Sequence, residues 1–404
     1  MDAIARDYLL LALSVGELQD GIVDSYYGPP EIRAEAVARR ATAAQLAADA
    51  DGLRKRVLDE VDDEQRRRWL DRQLIGLETI CRTLDGETIP YAQEVELCFD
   101  APPTRTSPET YAQVRRDLDH LLPGQGTIHE RLEKRDKRLT VPPDHVGHIL
   151  EWLATETRQL CAAVYPLPTG ESLTLSLVTN EPWSAYNWYD GNLRSRIEFN
   201  TDLPTRAQNL PYTFTHEAFP GHHLEHTWKE QRLVRDLGRA ECSVQLINTP
   251  EAYISEGLGE LGGRLLIDGP LWQSLLMAIG EQAGLVISAE DAEREWRTSL
   301  ALRPLRGVSG DAALMLYADG RSRDEVRQFM VEDGLATPEC AEKSFEFLEH
   351  PLWRTYSFCY AGGEALLTSW CAAAGDLDAQ RARFFRLLTE QLTPSGIVAE
   401  MAAA

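Results

Sequence analysis

Four of the nine histidines fall between positions 216 and 226, in the run His216-Glu217-Ala218-Phe219-Pro220-Gly221-His222-His223 followed by Glu225 and His226. Neutral imidazoles and a carboxylate are the donor set of a catalytic zinc site, which keeps one coordination position open for water. The ion lowers the pKa of that water to about 7, and a neighbouring carboxylate then takes its proton. Glu217, adjacent to the first histidine, is the candidate general base. The expected cofactor is therefore a single Zn2+ per chain.

The spacing departs from His-Glu-x-x-His, in which two histidines four residues apart share a helical face. Here the next histidines come six and seven residues after His216, with Pro220 between them. Six residues turn a helix by about 600°, which sets His222 about 120° away from His216; seven restore the face but add about 10.5 Å of rise. An unbroken helix brings neither histidine to the same ion as His216. A break at Pro220-Gly221 would absorb the extra residues, because proline removes a backbone donor and glycine admits unusual dihedrals. With that break His222 can take the place of the second ligand, and His223 stays open as the alternative.

The octapeptide resembles the His-Glu-Ala-x-Pro-Gly-His-His signature of the bacterial "domain of unknown function 885" proteins, which are grouped with the zincin-like metallopeptidases. The likeness spans most of the chain, through Gly21 to Pro30, Ile197 to Pro204 and Tyr253 to Glu260. The run also looks like a stretched form of the His-Glu-x-Gly-His and His-Glu-x-x-Gly-His sites of oligopeptidase and dipeptidyl-peptidase zincins. A glycine directly precedes the second ligand there, which favours His222. The resemblance implies Glu256, in Ser255-Glu256-Gly257, as third ligand in preference to Glu241 and Glu251. It also implies Tyr360, in Phe358-Cys359-Tyr360-Ala361-Gly362-Gly363, as the donor to a developing oxyanion, with Tyr356 one turn earlier as its substitute. Glu260, one turn after Glu256, is placed to accept a hydrogen bond from a ligand histidine.

Other residues carry weaker signals. Arg303 and Arg306 flank Pro304-Leu305 and could bind a substrate carboxylate. His145 and His148 are three apart but lack a nearby acid of suitable context, and His226 reads as a support for the site or a solvent-facing residue. Trp183, Tyr186, Trp188 and Tyr189 are candidates for a cleft lining.

These side chains need elements to hold them. Glu31 to Lys55 and Asp63 to Leu84 read as charged amphipathic helices, the second with Leu70, Leu74, Leu77, Ile80 and Leu84 at helical spacing. Breakers at Gly28-Pro29-Pro30, Pro102-Pro103 and Pro123-Gly124 interrupt them. A helix over Asp144 to Val164 leads to two strand candidates, Ser172 to Val178 and Ser195 to Asn200, which could pair as a small sheet beside the site. Everything after Leu210 reads as mostly helical. The expected fold is mainly α, a zincin-like helical metallohydrolase with one small β-sheet beside the active-site helix. Residues 1–140 are expected to form one helical wall of a cleft and residues 141–404 the catalytic region.

Composition narrows the function. Sixty-four acidic against 41 basic residues give a formal charge of -23, which disfavours nucleic acid and anionic membrane as partners. No stretch reaches the roughly 20 apolar residues that cross a bilayer. Tyr8 to Val15 is short, and Met1 to Asp7 lacks a positive leader, so a cytoplasmic location is expected. Seven scattered cysteines with no Cys-x-x-Cys agree with reduced thiols. The expected activity is hydrolysis of short peptides or another small amide. The rivals are a metal-dependent hydrolase of a non-peptide amide or ester, and a non-catalytic binding protein on a zincin scaffold. No motif encodes the oligomeric state.

Overall fold

The computed structural model describes residues 1–181 and 183–403. The first half is helical, and most helices begin at a residue whose side chain accepts from the first turn. In order they are α1 (Ala3–Gly16), α2 (Pro30–Arg39), α3 (Ala43–Glu60), α4 (Glu64–Leu84), α5 (Tyr91–Phe99), α6 (Pro108–Leu121), α7 (Ile128–Arg138) and α8 (Pro143–Ala162). The expected helix from Glu31 to Lys55 is in fact two. Arg40 turns left-handed at φ 48°, and Thr42 restarts the chain with a capping box to Gln45.

Two small sheets follow. β1 (Val23–Tyr26) pairs antiparallel with β5 (Val244–Leu246). β2 (Ser172–Val178), β3 (Ala185–Gly191) and β4 (Arg194–Asn200) form a three-stranded sheet in the order β2-β4-β3, with β2 parallel to β4 and β3 antiparallel to it. The expected pairing of the first and last strands is present, running Ser172 to Arg194 through Val178 to Asn200. Strand β3, at the edge of this sheet, replaces what the sequence offered only as an aromatic cleft lining. Its alternation is real: Ala185, Asn187 and Tyr189 are buried, while Tyr186 and Trp188 face outward.

The remainder is helical again: α9 (Leu210–Glu217), α10 (His222–Lys229), α11 (Pro250–Leu266), α12 (Gly269–Gln282), α13 (Ala289–Leu302), α14 (Val308–Tyr317), α15 (Arg323–Glu332), α16 (Pro338–Leu348), α17 (Ser357–Ala372), α18 (Leu377–Thr389) and α19 (Pro394–Ala403). The fold is mainly α with small sheets. Phe199 of β4 stacks on Phe214 of α9 at 5.9 Å, which sets the larger sheet against the helix that carries His216.

Two apolar cores flank the centre; the first mixes early and late segments of the chain, and the second draws only on residues from Val141 onward. One joins Tyr8, Leu70 and Phe99 to Leu246, Tyr253, Phe345 and Cys359. The other joins Ile149, Ile197 and Phe214 to Leu258, Trp272, Leu367 and Trp370. Helices α11 and α17 therefore contribute to both, α11 through Tyr253 and Leu258, α17 through Cys359 and Leu367. They touch backbone to backbone: a Cβ added at Gly257 would lie 2.4 Å from the carbonyl carbon of Gly363, so this crossing requires glycine. All seven cysteines are unpaired. Among the described residues no helix is long and apolar enough to cross a membrane.

Candidate metal centre

The helix that carries His216 stops where the sequence required a break. Ala218 N–H still donates to the Phe214 carbonyl at 2.9 Å, but Gly221 N–H reaches back to Thr215 at 2.9 Å, and α10 starts at His222. A Cβ on Gly221 would sit 1.9 Å from the carbonyl oxygen of His216, so only glycine lets the chain fold back this closely. The turn from Ala218 to Gly221 swings the second histidine onto the first. Nε2 of His222 lies 3.1 Å from Nε2 of His216, with the rings almost perpendicular at 88°.

Helix α11 brings Glu256 to the same point. One carboxylate oxygen, Oε2, is 3.4 Å from His216 Nε2, and Oε1 is 3.9 Å from His222 Nε2. The Tyr356 hydroxyl donates to Oε1 at 2.7 Å, whereas Oε2 is buried without a hydrogen-bond partner. A buried carboxylate oxygen left bare is costly unless something else satisfies it. Bonds of about 2.0–2.1 Å to a tetrahedral ion would set its donors about 3.3 Å apart, close to the spacings seen here. The donor set and the bare oxygen both fit zinc.

Electrostatics point the same way. Burial alone would lower the basicity of His222, but its hydrogen bond to Glu225 and the charges of Glu256 and Glu217 outweigh it and push the imidazole up to about 9. An environment that attracts a proton this strongly attracts a divalent cation for the same reason. Burial raises the carboxyl of Glu217, further raised by Glu256, while His216 and His222 oppose the rise. A carboxyl held above its ordinary range is suited to accepting and returning a proton near neutral pH.

Support for the second histidine comes from residues the sequence reading passed over. His222 Nδ1 lies 3.3 Å from Glu225 Oε2 and 3.2 Å from Ser255 Oγ, and Ser255 donates to the same Glu225 oxygen at 2.6 Å. Lys229 donates to Glu225 at 2.6 Å and to Glu251, and holds Glu225 ionised against its complete burial. The signal was present as an i,i+4 pair, Glu225 and Lys229, on the helix that begins with the ligand. His222, Glu225 and His226 also lie close enough to count as a metal-capable set. The donors of that second set are already engaged, Glu225 as described and His226 Nδ1 by Gln245 Nε2 at 2.6 Å.

The alternative second ligand is turned away. His223 is wholly buried, with Nδ1 2.8 Å from Ser195 Oγ of β4 and Nε2 2.9 Å from Glu171 Oε2. The two rejected third-ligand candidates are likewise employed elsewhere, Glu241 by Arg66 and Glu251 by Lys229 and Trp69. His145 and His148 adjoin at 5.3 Å between ring centres, and His145 Nδ1 is 2.6 Å from the carbonyl oxygen of Gln282; among the described residues they join no set of three potential ligands.

A cavity of about 890 Å³ opens over the centre, lined by His216, Glu217, His222, Glu256 and Tyr360. Asn187 of β3 fixes the end of α9 by donating to the Glu217 carbonyl at 2.6 Å. Trp183, Tyr186 and Trp188 line the cavity as expected. Tyr189 does not: strand alternation points it inward, where its hydroxyl bonds Glu230. Tyr186 donates to Asp24, whose carboxyl burial pushes up to about 6. Tyr360 stands edge-on to Tyr356 at 5.7 Å between ring centres, with its hydroxyl uncommitted among the described residues. Glu260 comes within 3.7 Å of His216 Nδ1, at the outer edge of an interaction, and also meets Arg306.

No protein-family model matches the chain, and no curated protein matches it. Among solved structures it is similar to one named "putative lipoprotein from Colwellia psychrerythraea", at 14% identity and a TM-score of 0.52 over 89% of this chain and 66% of that one. It is also similar to a "putative lipoprotein of unknown function from Shewanella oneidensis", at 13% identity and a TM-score of 0.50 over 98% of this chain and 82% of the other. The chain thus spans just under two thirds of the first of these. At such identities the likeness concerns the fold alone.

Proposed function

We propose that this chain is a zinc-dependent hydrolase, a peptidase of short peptides, with the ion held by His216, His222 and Glu256. The observation that carries the reading is the bare, buried Oε2 of Glu256, 3.4 Å from the Nε2 of His216, which itself lies 3.1 Å from the Nε2 of His222. The resemblance to the domain of unknown function 885 proteins and their zincin-like relatives leads in the same direction. When bound, zinc would supply a positive charge that eases deprotonation of water and polarises a carbonyl.

The chain's own residues divide the rest of the work. Glu217 takes a proton from the attacking water onto its carboxylate and later delivers it to the leaving amine nitrogen. The Tyr360 hydroxyl donates to the carbonyl oxygen as charge builds there. Tyr356 holds Glu256, and Glu225 with Ser255 holds His222, so two of the three ligands are oriented by a partner behind them. A cavity of about 890 Å³ falls within the size range of small-ligand sites, which favours a short peptide over a folded protein.

Metal analysis of the purified chain tests this, with His216→Ala, His222→Ala, His223→Ala and Glu256→Ala alongside the parent. The expected result is about one zinc per chain, kept only in His223→Ala and the parent. A folded parent that refuses zinc sinks the reading and leaves a binding scaffold. A panel of peptides, non-peptide amides and esters then separates the peptidase from the broader hydrolase. A reducing, cytoplasmic address is proposed on the seven unpaired cysteines. The naming of the two similar structures suggests a lipid-anchored one instead, and cell fractionation distinguishes them.

A further inference from the structure

Beyond Glu260 the cavity wall changes character. Arg264 of α11, together with Arg303 and Arg306 of the short 3-10 turn Arg303–Gly307, converges on two carboxylates, Glu260 and Glu364 of α17. Three guanidinium groups against two carboxylates leave one positive charge in surplus. All three arginines line the cavity, and so does Tyr212 of α9.

The donors are unevenly used. Arg264 spends Nη1 on Glu364 and Nη2 on Thr368 Oγ1 at 3.1 Å. Arg303 gives Nε to Glu364 at 2.5 Å, and its Nη2 meets the same oxygen. Arg306 gives only Nη1, to Glu260 and to Glu364 at 3.2 Å. That leaves Nε of Arg264, Nη1 of Arg303 and Nε and Nη2 of Arg306 without an acceptor among the described residues. Independently, the Tyr212 hydroxyl is buried and has no partner, and it lies within the field of all three arginines. Burial depresses Arg264 to about 9, with Arg303 adding to the effect, and Arg306 to about 10. Both stay charged at neutral pH, and the side chains of Arg303 and Arg306, 34% and 38% exposed, keep their free donors open to the cavity. Arginines in bulk solvent would show neither the depression nor the adjacent bare hydroxyl.

We propose that Arg303, Arg306 and Tyr212 bind the C-terminal carboxylate of the substrate, so that the cavity trims peptides from a free C-terminus. The inference rests on the peptidase reading and names its substrate class. A single surplus charge calls for a monoanion, and a planar carboxylate matches the forked donors of guanidinium. Glu260 meets both the His216 ring and Arg306, which puts the anion within a few residues of the bond to be cut, at about 3.3–3.6 Å of chain per residue.

The test uses the full chain carrying Glu217→Gln, which holds a peptide without cleaving it. Calorimetric titration compares N-acetyl-Ala-Ala-Ala as the free acid, the same peptide as its C-terminal amide, and inorganic phosphate. The acid is expected to bind about 10-fold or more tightly than the amide, to outcompete phosphate, and to lose that advantage when Arg306→Gln is added. Arg303→Lys, which keeps the charge and removes the fork, should retain part of it. Equal binding of acid and amide, or binding of neither, overturns the proposal and leaves the arginines as mere counter-ions of Glu260 and Glu364. Phosphate binding tighter than the acid also overturns it, assigning the site to an anion from another source. The acid and amide comparison keeps all three arginines, so a misfolded variant cannot produce its result. Failure of the peptidase reading looks different: selective acid binding with no hydrolysis by the parent enzyme removes the hydrolase and keeps the anion site, while equal hydrolysis of acid and amide does the reverse.

Discussion

His222 and His223 are neighbours on one helix, yet the two faces of α10 that they occupy obey different rules. Toward β4, His223 meets Ser195 and Glu171 with both ring nitrogens, and nothing on that side is left unpaired. Toward the cavity, His222 is supported on Nδ1 and confronts with Nε2 another imidazole nitrogen and the Glu256 carboxylate, whose other oxygen is bare. Burial does not distinguish the two, since both are largely withdrawn from solvent. What separates the proposed ligand from the structural histidine is what its Nε2 meets, another imidazole nitrogen in one case and a carboxylate in the other.

The sharpest way to break this contrast is to remove each ring in turn. His222→Ala should abolish zinc retention and turnover together, while His223→Ala retains both; metal analysis beside a peptidase assay reads the pair, and zinc loss in His223→Ala would erase the distinction. Next in size, Glu217→Gln should cut turnover by about 10²–10⁴-fold with zinc content unchanged. Turnover that survived this change would remove Glu217 from the proton path.

The two tyrosines of α17 extend the comparison, one committed and one free. Tyr360→Phe should lower kcat by about 10²–10³-fold and leave metal affinity alone. Tyr356→Phe should instead weaken metal affinity by about 10–100-fold, because it releases Glu256. Metal titration with stopped-time kinetics separates them, and identical profiles would show that one of these roles is misassigned. The smallest effect belongs to the satisfied face: His223→Ala should cost about 1–3 kcal/mol of stability by stranding Glu171 and Ser195. Thermal or denaturant unfolding measures it.

Much of the centre could be read from residue types, because a break at Pro220-Gly221 was the only way to bring a second histidine to the first. The direction of His223 could not be read, since it depends on Glu171 and Ser195, 52 and 28 residues away in the chain. Strands β2 and β4 announced themselves by alternation. β3 did not, because its outward residues are tyrosine and tryptophan, large apolar rings that mask the period-two pattern until a cavity shows why they face out. The same alternation removed Tyr189 from the cleft. Helices α2 and α3 merged in the reading because Ala and Arg continue through a junction made by one left-handed residue and one cap.

The contact between Gly257 and Gly363 carries a mechanical consequence. Two helices that meet through side chains have a compliant layer between them, in which rotamers can absorb a small displacement. Here there is none at the crossing, one residue from Glu256 and three from Tyr360. A push on either helix is therefore transmitted to the other with little side-chain give between them, which ties the position of the carboxylate to that of the phenol. The joint works as a rigid jig, and even one added methyl group would reset the distance it holds.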